Sequence, residues 1–308
     1  MTKRCNRGSG IAALTALWVA AFGGVLVGSV SAENAEIRAT PHADIVSIGG
    51  SITEIVYELD QQHRLIARDT TSGYPEAALA LPDVGYVRGL SPEGVLSMNP
   101  DLVLAEADAG PPEALDVLKE AGVRLVLIPD EPTGAGILEK IRAVGAALDV
   151  EARAEVVADD VAAALERATA RANAIAHEDR KRVLFVLSGQ GGRILAAGRN
   201  TEAATVIGMA GAINALDGFE GYKPVSDEAI VQAAPDVILM MTRGGVVMVD
   251  DATLFAMPAI AATPAGENRA VIRMGGQYLL GFGPRTAEAV QDLTDALYGD
   301  QDDDPGNL

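Results

Sequence analysis

The chain has 308 residues, 49% of them hydrophobic and 22% charged, which is enough for about two globular domains, each with its own core. That excludes a small disulfide-stapled module and extended disorder. Its 43 acidic residues against 24 basic ones give a net charge of −19, a balance that repels a phosphate backbone and makes nucleic acid an unexpected partner. With one Trp, six Tyr and five Phe, aliphatic side chains must build the interior.

Residues 1–32 carry Lys3, Arg4 and Arg7, then the apolar run Ile11 to Val30, then the small-residue ending Val30-Ser31-Ala32. This pattern predicts a secretory signal peptide, with the exported chain starting near Glu33 and located in the periplasm. A permanent membrane anchor is the competing reading, and small residues interrupting the apolar run count against it. Cleavage removes Cys5, the one cysteine, so no disulfide framework is expected. Cys5 precedes the apolar run and is badly placed for lipid attachment.

From Asp44 onward, short apolar runs alternate with amphipathic stretches. Ile45 to Ile48, Arg64 to Ala67, Leu102 to Ala105 and Leu125 to Ile128 read as buried strands, with helical patterns at Ile52 to Leu59 and Pro112 to Ala121. Val150 to Arg182 lacks Pro and Gly and is rich in helix formers, which predicts one long helix. Strand patterns resume at Arg182 to Leu187, Val237 to Met241 and Ala270 to Arg273. The expectation is an α/β protein of two lobes (33–149 and 182–300) with mainly parallel sheets, joined by a backbone helix (150–181) and closed by an acidic tail (301–308).

The halves share a motif. Ser91 to Leu104 and Ser226 to Leu239 match in register at Ser, Glu, Pro, Asp and the apolar positions, and Gly85-Tyr86 and Gly221-Tyr222 precede the two copies. Each copy predicts an N-capping serine, a short helix with an acid in its first turn, a Pro-Asp turn and a buried strand. Two such lobes on one rod leave a cleft, a usual place for a small ligand.

Catalytic signatures do not stand out. No Gly-x-Ser-x-Gly, P-loop or His-Glu-x-x-His occurs, and the glycine-rich segments Ser188 to Gly192 and Gly281 to Arg285 are weak signals that plain turns also explain. His42, His63 and His177 are scattered, which disfavours a zinc or manganese site.

Asp69-Thr70-Thr71-Ser72-Gly73-Tyr74-Pro75, Leu81 to Arg88, Ala196 to Thr201, Leu239 to Arg243 and Tyr278 to Thr286 together resemble the periplasmic haem-binding components of bacterial haem ABC importers. The resemblance extends from about Asp44 to Tyr298. It implies two Rossmann-like lobes on a single helix, haem as the transported ligand, no catalysis, and delivery by a monomer to an ABC permease with its ATPase. By position it places the axial tyrosine at Tyr86, where a phenolate would suit ferric iron. An interfacial aromatic is the plain alternative. Arg88, two residues on, could lower the tyrosine pKa or pair with a propionate. Tyr74, Arg193 and Arg243 complete the implied site, the arginines as propionate partners.

One departure matters. Relatives carry a histidine after the first strand of the second lobe, where this chain reads Leu187-Ser188-Gly189-Gln190. Gln190 could hydrogen-bond or coordinate weakly, water could take the sixth position, or the iron could rest on Tyr86 alone. Glu93 and Glu228, the matched acids of the repeat, fall where the family docks on its permease, although their place in a first helical turn explains them structurally as well. The same scaffold could instead hold cobalamin or a ferric siderophore, and a secreted α/β enzyme is the remote alternative.

Overall fold

A computed structural model describes residues 43–189 and 193–299. The expected leader with Cys5, His42, Gln190 and the tail 301–308 lie outside the described residues. In the first lobe, β1 (Ile45–Ile48) leads through Gly49 into α1 (Gly50–Glu58), then β2 (Leu65–Arg68), α2 (Pro92–Leu96), β3 (Leu102–Glu106), α3 (Pro112–Glu120), β4 (Arg124–Ile128) and α4 (Gly134–Ala147). The strands form a parallel sheet in the order β2-β1-β3-β4. All four residues of β1 and all five of β3 are buried, because helices cover both faces of a parallel sheet.

Helix α5 (Glu151–Asn173) leads to the second lobe. There β5 (Arg182–Ser188), β6 (Ile194–Ala197), α6 (Glu202–Met209), β7 (Ile213–Asn214), β8 (Tyr222–Val225), α7 (Asp227–Ala233) and β9 (Val237–Thr242) follow. Short helices α8 (Asp251–Phe255), α9 (Pro258–Ala261) and α10 (Pro264–Glu267) precede β10 (Val271–Gly275), α11 (Gly276–Leu280) and α12 (Thr286–Tyr298). This sheet runs β10-β9-β5-β6-β8 and is mixed: β10, β9 and β5 are parallel, whereas β6 is antiparallel to both its neighbours. The two-lobed α/β expectation holds, with parallel pairing confined to part of the second sheet.

The linking helix stops at Asn173, short of the expected end at 181. Ile175 N–H then bonds back to Ala172 O and residues 177–179 form a 3-10 turn, as the chain bends into β5. Ala154, Val157, Ala158, Val161, Leu165, Ala168 and Ala172 recur three or four apart and bury one face of α5. That face belongs to a core continuous with Ile45 and Leu104 of the first lobe and with Phe185, Val290 and Leu293 of the second. Each sheet has a separate core on its other face. The helix is therefore packed between α4 and α12 instead of crossing open solvent.

The repeated motif is real in three dimensions. Ser91 and Ser226 cap α2 and α7 by accepting from the amides of Gly94 and Ala229. Both copies then pass through a left-handed residue just before the proline, Asn99 (φ 51°) and Ala234 (φ 42°), and enter a buried strand.

Candidate functional site

Tyr86 sits on a loop that the first lobe holds at many points. Arg68 pairs with Asp83 at 2.9 Å, and Asp83 accepts from the Gly85 amide and the Thr70 hydroxyl. Gly85 takes φ +104°, a conformation that favours glycine, and its carbonyl accepts from Thr70 N–H. Gly89 N–H bonds to Tyr86 O, closing a turn, and Val87 O accepts from Gly110 N–H. Val84, Val87 and Leu90 point into the core beside β3. Tyr86 and Arg88, between those anchors, are turned outward, and Tyr86 is 48% exposed. The phenol does not enter the lobe's interior.

Arg88 has a partner that the sequence did not reveal: its Nε donates to Asp108 at 2.9 Å, and its Nη2 donates to the same carboxylate oxygen. Partial burial works against its charge, but the Asp108 carboxylate and the Tyr86 hydroxyl outweigh this and hold its pKa above the usual arginine value. The guanidinium thus lies beside the phenol, with its charge already shared with Asp108.

Tyr74 is 44% exposed, and its ring carries the guanidinium of Arg285 from the second lobe at 3.5 Å. Arg243 is exposed at the carboxyl end of β9, where its backbone pairs with Val246 across Gly244-Gly245. Val246, Val247 and Met248 behind it are exposed as well. Arg193 is exposed just before β6. Among the described residues, neither arginine is hydrogen-bonded or ion-paired to Tyr86.

Glu93 and Glu228 are both exposed in the first turns of α2 and α7. The Ser91 hydroxyl and its own backbone amide hold Glu93 below the usual carboxylate range, and its own backbone amide and the Ser226 hydroxyl do the same for Glu228. Both are ionised at neutral pH.

Beside the first turn of α1 lies a buried polar chain. The fully buried Lys140 ammonium contacts Asp130 at 2.5 Å and donates to the Ser51 hydroxyl at 3.0 Å, which donates to Glu106 at 2.8 Å. Glu106, Asp108 and Asp130 each offer an oxygen within 4.8 Å of the others. The ammonium supplies positive charge to this group. No local sequence pattern marks it, because its members come from the ends of β3 and β4 and from helices α1 and α4.

The chain belongs to the periplasmic binding protein family, whose pattern matches residues 45–278. The fold of the periplasmic haem-binding protein BhuT, solved in complex with two haems, superposes with a TM-score of 0.78 at 40% identity, covering 83% of this chain and 99% of that one. The periplasmic haem-binding protein RhuT of Roseiflexus sp. RS-1, solved in its apo form, gives 0.79 and 40%, covering 82% and 97%. In sequence, the chain is also similar to the ABC transporter substrate-binding lipoprotein YvrC of Bacillus subtilis (strain 168), 26% identical over 278 residues, 90% of this chain and 86% of that protein.

Proposed function

We propose that this chain is a periplasmic substrate-binding protein that takes up haem between its lobes and passes it to an ABC permease, without catalysing a reaction. The observation that carries the reading is Tyr86, held outward on an anchored turn with a guanidinium beside it. Similarity to BhuT and RhuT supports haem over other large ligands. A phenolate is a hard anionic ligand for ferric iron. Because Asp108 already shares the Arg88 charge, propionate neutralisation falls mainly to Arg243 and Arg193 on the second lobe.

Titration of the purified protein with ferric haem, alongside Tyr86→Ala, tests this reading. A tyrosinate-type charge-transfer band in the wild type that is lost in the variant is the expected result. Equal uptake by both proteins would remove Tyr86 from the site. Absence of uptake by the wild type, with binding of cobalamin or a ferric siderophore instead, would overturn haem as the cargo. In the same reading, Glu93 and Glu228 are the docking charges toward the permease.

A further inference from the structure

Arg285 lies where α12 begins in the second lobe, yet its partners lie mostly in the first. Its Nη2 donates to Glu54 Oε1 at 2.6 Å and its Nε to Oε2 at 3.0 Å, a bidentate pair that occupies both carboxylate oxygens of a residue buried on α1. One aromatic ring from each lobe flanks the guanidinium: Tyr74 at 3.5 Å and Tyr278 at 5.1 Å. Tyr278 is itself fixed by its hydroxyl, which donates to Asp292 of α12 at 2.8 Å.

The backbone around this pair is close-packed across the lobe boundary. A Cβ placed on Gly283 would stand 3.2 Å from the Ser51 Cβ, and one on Gly50 would run into the Gln277 side chain. Lys140 adds a second tie by donating to Gly281 O at 3.4 Å. Burial pushes the Glu54 carboxyl above its ordinary pKa, and the Arg285 hydrogen bonds and charge oppose that rise. Pulling the lobes apart at this seam would strand a buried carboxylate, which is costly unless water replaces the arginine.

We propose that Arg285 is a positioning residue for ligand capture: it clasps the two lobes through Glu54 and the paired rings, and so fixes Tyr74 and the width of the gap before any ligand arrives. This rests on the reading of the gap as the haem site. A gap held at one width loses less conformational freedom on binding, so the clasp acts mainly by slowing ligand escape.

The test compares the wild type with Arg285→Gln, Arg285→Lys and the double variant Glu54→Gln/Arg285→Gln. Small-angle scattering reports the spread of lobe separations in ligand-free protein. Transfer of ferric haem to excess apomyoglobin reports its rate of loss, and the absorption spectrum reports iron ligation. Arg285→Gln is expected to broaden the distance distribution and to speed haem loss about tenfold, with the iron-ligand spectrum unchanged. Arg285→Lys keeps the charge but loses the planar fork, and is expected to fall between the two. The double variant leaves no stranded carboxylate, so it folds even where the single one fails, and it is expected to be as loose as the single variant. Folded variants with wild-type scattering and wild-type haem loss would overturn the clasp. If the wild type takes up no haem, the haem reading fails, and ligand-free scattering still decides whether Arg285 sets the gap.

Discussion

Burial pushes the Glu106 carboxyl up to about 7 against the pull of Lys140, with Asp130 and Asp108 adding to the rise and the Ser51 hydrogen bond opposing it. The folded protein therefore keeps the Glu106 proton at pH values where the unfolded chain, near 4.5, has released it. Since the native state binds more protons in that window, stability falls as pH rises from about 4.5 to about 7. One pKa unit is worth about 1.4 kcal/mol, so the loss from this group is on the order of 3 kcal/mol. Glu106→Gln should flatten this part of the profile: relative to wild type it should gain stability between pH 5 and pH 8 in denaturant titrations. Parallel profiles for the two proteins would mean that Glu106 ionises in the ordinary range. Arg88 supports a second prediction at this scale. Arg88→Ala leaves Asp108 without its partner beside Tyr86, so the variant should bind ferric haem more weakly than wild type in absorption titrations. Equal affinity in the two proteins would remove Arg88 from the haem site. The sequence pointed to Tyr86 and Arg88 because a local motif carries both. It did not point to Asp108, twenty residues beyond Arg88, or to Glu54, 231 residues from Arg285, since no local pattern encodes a contact made by folding.

Among the elements, β1, β3 and β9 were legible because they are short and mostly apolar, with one polar residue each, so that composition alone betrays them. The antiparallel partners β6 and β8 were not. Each has four residues, and β8 contains Lys223 and Pro224 and lies at the sheet edge, where proline and exposed lysine are tolerated. The long helix was legible in existence but not in its end, because good helix formers continue past Asn173 and only the turn into β5 halts it. Its packing supports a prediction. A Cβ on Gly145 of α4 would lie 2.2 Å from the Ala154 Cβ of α5, so glycine is what lets these helices approach. Gly145→Ala should therefore cost about 1–3 kcal/mol through overpacking, despite the higher helix propensity of alanine. In a domain of this size that corresponds to a drop in Tm of roughly 2–4 °C per kcal/mol. A variant as stable as wild type would show that α4 and α5 separate at little cost, and with them the shared core that passes from lobe to lobe.

For the whole molecule, the repeat puts one ionised acid on each lobe at equivalent places, Glu93 on α2 and Glu228 on α7. Both carboxylates are fully accessible and neither is needed to hold a lobe together, so their charge is available to a partner. Exposed charges at the rim of an interface mainly steer encounter and set register, and add little affinity. As the proposed docking charges, one on each lobe, Glu93 and Glu228 would set both lobes against a basic permease surface. Reversing both, Glu93→Lys with Glu228→Lys, should slow haem delivery to the permease in proteoliposomes by about tenfold or more and remove much of its dependence on salt, which screens such contacts within about 10 Å at 0.1 M. Haem affinity should stay at the wild-type value, because Tyr86 and the Arg285 junction are untouched. The neutral pair Glu93→Gln with Glu228→Gln keeps the helix ends closer to native and should show an intermediate defect. Delivery by the reversed variant at the wild-type rate would confine both acids to capping their helices.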